Sequence, residues 1–195
     1  MNARTVAWEP LDGQGFQLVN LRTDERRSVM INGECLWVHE GEPFAAHYTI
    51  HCHPSWDINE VSFGVRRFEG ALISPAIILA RSRDGQWVNH RNAPQPLFQG
   101  FSDVDISITP LTNTLAIRRL NLQVGESRDI NVVYFEAPSL EPKPTRQRYS
   151  CLGKYSDGEL YRFHSLDTGF TADISVDTDG LVLEYPGLFK RVWEK

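Results

Sequence analysis

Long apolar runs are missing from this sequence. The longest, Ala76 to Ala80, is far too short to span a bilayer, so integral membrane association is not expected. Blocks of basic charge are missing too: Lys and Arg cluster no further than Arg26-Arg27, Arg66-Arg67 and Arg118-Arg119. With 20 basic against 25 acidic residues the formal net charge is −5, which offers nucleic acid no electrostatic footprint. Cysteine is scarce. Cys35, Cys52 and Cys151 are odd in number, widely spaced and without a CxxC, which argues against a disulfide framework and for a reducing, cytoplasmic setting. The opening MNARTVAWEPLDG lacks the basic and apolar regions of a secretory signal, and none is expected.

Amphipathic helical periodicity is scarce as well. What the chain has instead is short alternating or β-branched segments about every ten residues, bounded by DG, NG, EG or Pro. They are Gly15 to Leu21, Ser28 to Ile31, Glu34 to His39, Phe44 to Cys52, Glu60 to Arg67, Ala76 to Arg83 and Gln86 to Asn89. After these come Ser102 to Thr109, Thr114 to Leu122, Ser127 to Phe135, Arg148 to Tyr155, Glu159 to Ser165, Phe170 to Val176 and Leu181 to Tyr185. Tight turns are expected at Asn32-Gly33, Asp84-Gly85, Asp157-Gly158 and Asp179-Gly180, where these residues accept positive φ. The expected fold is all-β: an antiparallel spiral roll or open-barrel-like sheet with few or no helices.

A length of 195 residues with 41% hydrophobic and 23% charged side chains fits a single domain that buries its own core. One segment breaks the strand rhythm. APSLEPKPT, Ala137 to Thr145, carries three prolines that remove backbone donors, so it is expected as an extended strap rather than a central strand. On either side of it a pattern recurs: GECLWVHEGEPFAAHYTI from Gly33 and GELYRFHSLDTGFTADISV from Gly158. Each has Gly-Glu, an aromatic, a His, a loop and Phe-x-Ala followed by alternation. The sequence therefore divides into 13–137, a strap at 138–145 and 146–195, two related β units in one domain spanning 1–195.

The most loaded stretch is DVDISITPLTNTLAIRRL, residues 103–120. Val104, Ile106 and Ile108 alternate with Asp103, Asp105, Ser107 and Thr109. Closing the chain through Pro110 to Asn113 gives a hairpin with Asp105 opposite Arg118, an exposed cross-strand pair adding about 0.2–1 kcal/mol. That register leaves Asp103, Thr112, Asn113 and Thr114 unassigned. Fixed polar groups beside an apolar wall suit a hydroxyl-bearing ligand such as a sugar head group.

DVDISITPLTNTLAIRRL, followed by VVYFEAPSLEPKPTRQRY and GLVLEYPGLFKR, resembles the glycolipid-binding family, long carried as a domain of unknown function. Trp56 and Gly85-x-Trp87 extend the resemblance upstream. The resemblance implies an all-β, spiral roll-like fold built from related halves, with a concave surface like that of lipid carriers; it supplies no catalytic residues. Family members commonly have Cys where this chain has Phe101, which argues against thiol chemistry there, and Pro where it has Ala116.

Other chemistry is weakly signalled. His47, His51 and His53 share a strand face near Asp57, as three imidazoles on zinc would, yet solvated histidines opposite a core of Tyr48, Ile50 and Cys52 are the favoured reading, and no metal or cofactor is assigned. There is no G-x-S-x-G elbow and no phosphate-cradling glycine loop. Asp103 and Asp105 lie side by side, whereas glycosidase acids flank a bond from opposite sides. Arg146, Arg148 and Arg118-Arg119 can hold an anionic head group or pair with sheet-face acids. Trp37, Trp56, Trp87, Phe98, Phe101, Tyr149, Tyr185 and Phe189 can line an acyl cavity or form plain core.

The expected protein binds a glycolipid or other amphiphile without catalysis. Its candidate ligand-binding residues are Asp103, Asp105, Thr112, Asn113, Thr114, Arg118, Arg148, Tyr149 and Tyr185. The alternatives are an enzyme on a sugar-containing or lipid substrate with Asp103 or Asp105 as acid/base, and a scaffold associating through exposed strand edges.

Overall fold

A computed structural model describes residues 2–68 and 76–195. Its strands are β1 (Asn2–Pro10), β2 (Gly15–Thr23), β3 (Val29–His39), β4 (Glu42–Cys52), β5 (Ile58–Arg67), β6 (Ile77–Arg81) and β7 (Trp87–Asn89). After β8 (Asp103–Ile106) comes a helix, α1 (Leu111–Leu120), the one α-helix among the described residues. The chain ends with β9 (Ser127–Phe135), β10 (Pro142–Lys154), β11 (Gly158–Ser165), β12 (Thr171–Asp177), β13 (Val182–Tyr185) and β14 (Phe189–Glu194).

All of these strands lie in one sheet, although β1 and β14 fall outside the segments expected as strands. Its order is β7-β6-β5-β4-β3-β2-β1-β14-β13-β12-β11-β10-β9-β8. The chain begins in the middle of the sheet, meanders to one edge, restarts at the far edge and meanders back until β14 pairs β1. Neighbours are antiparallel except β8 and β9, which run parallel. A parallel pair needs a crossover connection, and α1 supplies it.

The edge strands β7 and β8 do not pair, so the sheet is not closed into a barrel. Side chains bridge the gap instead: Trp87 Nε1 donates to the Phe101 carbonyl at 2.9 Å, and Arg81 donates to the same oxygen. The concave face surrounds α1, whose residues Leu111 to Ile117 are all buried. Tyr48 on β4 shares a 2.9 Å hydrogen bond with Thr109, just before the helix, and Phe63 on β5 packs against Phe135 on β9.

Four expectations are corrected. Thr114 to Leu122 is not the return strand of a hairpin; residues 111–120 are helical. The helix starts Leu-Thr-Asn-Thr with no side-chain cap at Pro110, so burial rather than propensity holds it. The proposed Asp105–Arg118 pair is therefore absent: Arg118 lies over the Trp56 ring at 5.0 Å, and its neighbour Arg119 takes Asp103 instead.

Asn32-Gly33 is not a turn but the middle of β3, where Gly33 pairs with Tyr48. A Cβ at position 33 would collide with the Tyr48 ring; the glycine is there so that the ring can cross the strand. Residues 142–145 of the expected strap belong to β10, between β9 and β11. Pro142 and Pro144 pair with β9 only, because β11 joins from Gln147 onward. The missing N–H groups thus fall where that strand still has a free edge.

Candidate functional site

Beside the N-terminal half of α1, the concave face keeps an open groove of about 410 Å³. The strand alternation that buries Tyr149 also points Thr145 and Gln147 inward along β10. Asp105 of β8, Asn113 of α1 and Gln147 form the polar floor, while Phe163, Phe170, Tyr185 and Phe189 form an apolar wall.

The floor is a connected network. Thr112 Oγ1 donates to Asp105 Oδ1 at 2.6 Å, and Gln147 Nε2 donates to Asp105 Oδ2 at 2.7 Å. The buried Tyr149 hydroxyl donates to Asn113 Oδ1 at 3.0 Å. Among the described residues Asp105 has no cationic partner, and the Asn113 carboxamide nitrogen and the buried Thr145 hydroxyl make no side-chain hydrogen bond. Burial pushes the Asp105 carboxyl above its ordinary pKa, against the downward pull of Thr112, Gln147 and the Ile106 N–H. At the rim, burial and the Asp105 charge push the Tyr134 hydroxyl up to about 12, so it stays protonated as a donor.

The wall is a contiguous aromatic series. Phe163 sits 5.6 Å from Tyr149, 5.9 Å from Tyr185 and 6.2 Å from Phe170 between ring centroids. Tyr185 continues to Phe189 at 6.4 Å, and Phe189 to Trp37 at 6.0 Å. Edge-on and tilted rings at these separations are favourable arrangements. They give a rigid apolar surface facing a hydrogen-bonding floor.

Of the residues singled out in the sequence, Asp105, Asn113, Tyr185 and Phe189 line this groove, and Thr112 and Tyr149 support it from behind. Asp103, Thr114, Arg118 and Arg148 do not meet there. Asp103 is 2% exposed and bound bidentately by Arg119 at 2.9 and 2.6 Å; burial pushes its carboxyl up while the guanidinium pulls it down. Thr114 is fully buried in α1. Arg148 points to the outer face, where it pairs with Asp129 at 2.5 and 2.9 Å, and Arg146 pairs with Asp167.

Gln147, Thr145, Phe163 and Phe170 line the groove but were not among the candidate site residues. Their signal was there: Thr145, Gln147 and Tyr149 alternate on one strand, as do Tyr161, Phe163 and Ser165 on another.

The histidines do not converge. His47 lies across Gly64, His51 is 4.0 Å from Glu60, and His53 Nδ1 is 2.8 Å from Ser55 Oγ. Among the described residues no three metal-ligating side chains gather. Ser55 in turn donates to Asp57 at 2.6 Å, which puts the serine between histidine and acid, whereas in a hydrolase triad the histidine stands between the other two. No described helix is long and apolar enough to cross a membrane.

A DUF1089 family protein of Pseudomonas aeruginosa is similar in structure, with a TM-score of 0.78 and 32% identity over 90% of this chain and 92% of that one. A β-barrel-like protein of the domain of unknown function DUF1849 from Brucella abortus shares the fold alone, with a TM-score of 0.60 and 7% identity over 99% of this chain and 97% of that one. No curated protein matches. The family model described as "Putative glycolipid-binding" matches residues 5–191, and the chain belongs to that family.

Proposed function

We propose that the protein binds an amphiphile with a hydroxylated head, a glycolipid or a fragment of one, in the groove beside α1. The carrying observation is the pairing of a carboxyl that has no cationic partner among the described residues, Asp105, with the aromatic wall of Phe163, Phe170 and Tyr185. Sugar hydroxyls donate to Asp105 and accept from Asn113, while the apolar part lies on the rings. A volume of about 410 Å³ sits near the lower end of ordinary ligand sites, about 300–1,000 Å³. It suits a single head group with a short length of chain.

This role is non-catalytic. Burial raises the Asp105 carboxyl pKa, but Asp103, its expected companion, is held by Arg119, and Glu136, the other carboxylate lining the groove, is paired with Lys143 at 2.6 Å. The three cysteines are unpaired and buried, and burial pushes the Cys52 thiol up to about 12. Such inert thiols support a cytoplasmic setting. Descent of the roll from a duplicated β unit is part of the same reading, supported by the β3–β4 and β11–β12 hairpins that carry the recurring sequence pattern.

Isothermal titration with octyl glucoside below its micellar concentration tests the proposal. Saturable one-to-one binding is expected, weakened about tenfold or more by Asp105→Ala, in line with the loss of a hydrogen bond to a charged group. Equal affinity of the variant and the wild type would refute it.

A further inference from the structure

A second cavity, of about 620 Å³, opens where the C-terminal end of α1 meets the turns β2–β3 and β4–β5. Its lining includes Arg4, Arg27, Trp56 and Arg118 along with Asp24 and Asp179. Arg4 is committed to Asp177, Asp179 and Glu194, and Asp24 Oδ1 accepts from the Ser28 N–H at 2.8 Å. Among the described residues, neither Arg27 nor Arg118 makes a salt bridge or a side-chain hydrogen bond.

The backbone around this cavity is unusual in a way that five turns of the molecule allow to be compared. Each has the same two hydrogen bonds, one closing three residues and one closing four, with a left-handed residue fourth in the turn. That residue is Gly85 in β6–β7, Gly180 in β12–β13 and Asn92 after β7, with φ of 79, 76 and 57°. These are the residues the conformation favours. In the remaining two turns it is Arg27, at φ 64°, and Trp56, at φ 69°. Both of these disfavoured residues line the same cavity.

Arg118 is aimed into it as well. Its guanidinium lies 5.0 Å from the centre of the Trp56 ring, and its stem crosses Gly180, where a Cβ would stand 2.9 Å from Arg118 Cδ. The neighbouring Arg119 satisfies Asp103, so the buried acid makes no demand on Arg118. Left-handed strain kept at bulky side chains gathers at ligand sites, and guanidiniums without carboxylate partners are receptors for oxyanions.

We propose that this cavity binds a phosphate or sulfate group between Arg27 and Arg118, with Trp56 fixing the Arg118 guanidinium. The site lies apart from the groove and does not depend on what the groove holds. Its ligand is either a free oxyanion or the head group of an anionic lipid.

The test is titration calorimetry with inorganic phosphate and sulfate, alongside flotation with phosphatidylglycerol and phosphatidylcholine vesicles. The decisive variant is Arg27→Gly, which removes the guanidinium and gives the turn the residue it favours. Saturable binding of phosphate or sulfate identifies a free oxyanion; flotation with phosphatidylglycerol but not phosphatidylcholine, with no free-anion binding, identifies a lipid head group. In either case Arg27→Gly weakens binding at least about tenfold while its thermal midpoint is unchanged or higher, and Arg118→Gln weakens binding likewise. Wild-type protein that binds none of these probes, or Arg27→Gly protein that binds as well as the wild type, overturns the proposal.

Discussion

Asp105 and Asp103 stand two residues apart on one strand, and their surroundings separate them. Asp103 is closed off by a bidentate arginine. Asp105 meets neutral donors and an open groove, so burial leaves its pKa raised. A carboxyl whose folded pKa lies above its unfolded value contributes stability fully below the unfolded pKa and loses it as pH rises through the folded one. Asp105→Asn has no such titration. The difference in thermal midpoint, variant minus wild type, should therefore move in the variant's favour as the pH rises above about 4. Thermal unfolding across that range checks it; a difference that stays flat or runs the other way means that Asp105 is not the desolvated carboxyl described.

At the scale of elements, α1 governs how the concave face is used. It joins the parallel pair β8–β9, fills the interior with Leu111, Leu115 and Ile117, and sets Asn113 into the groove and Arg118 into the second cavity. Leu115 is 1% exposed. Leu115→Ala should cost about 2–5 kcal/mol, the range for emptying a packed site, measured by urea denaturation; a loss below about 1 kcal/mol would place Leu115 outside the core.

β1 and β14 were not legible, but most strands were, because residue types alternate along them, as Val104 and Ile106 do with Asp103 and Asp105 on β8. That alternation, carried on through Ile108 and across the loop, made the following residues look like a return strand. Against it stood Pro110, which suits a helix start, and Leu111 and Leu115 at helical spacing. The edge pairing of β10 was hidden because a proline excludes a hydrogen bond on one side of a strand only. For the site, residue types at 103–120 pointed to the right neighbourhood. Which aspartate faces the groove was not legible, since it depends on Arg119 reaching Asp103 from a helix.

At the scale of the whole molecule, the wrapped sheet and α1 leave an aromatic wall and the Asp105 carboxyl facing one groove, and two guanidiniums, Arg27 and Arg118, facing another opening, none of the three groups ion-paired among the described residues. The central claim is that the first of these holds a hydroxylated amphiphile. The most direct measurement is a crystal structure of the protein with octyl glucoside bound. The sugar should lie within hydrogen-bonding distance of Asp105 and Asn113, and the alkyl chain along Phe163, Phe170 and Tyr185. Glucoside bound elsewhere with the groove left to water, or a groove closed by its own side chains, would contradict the claim.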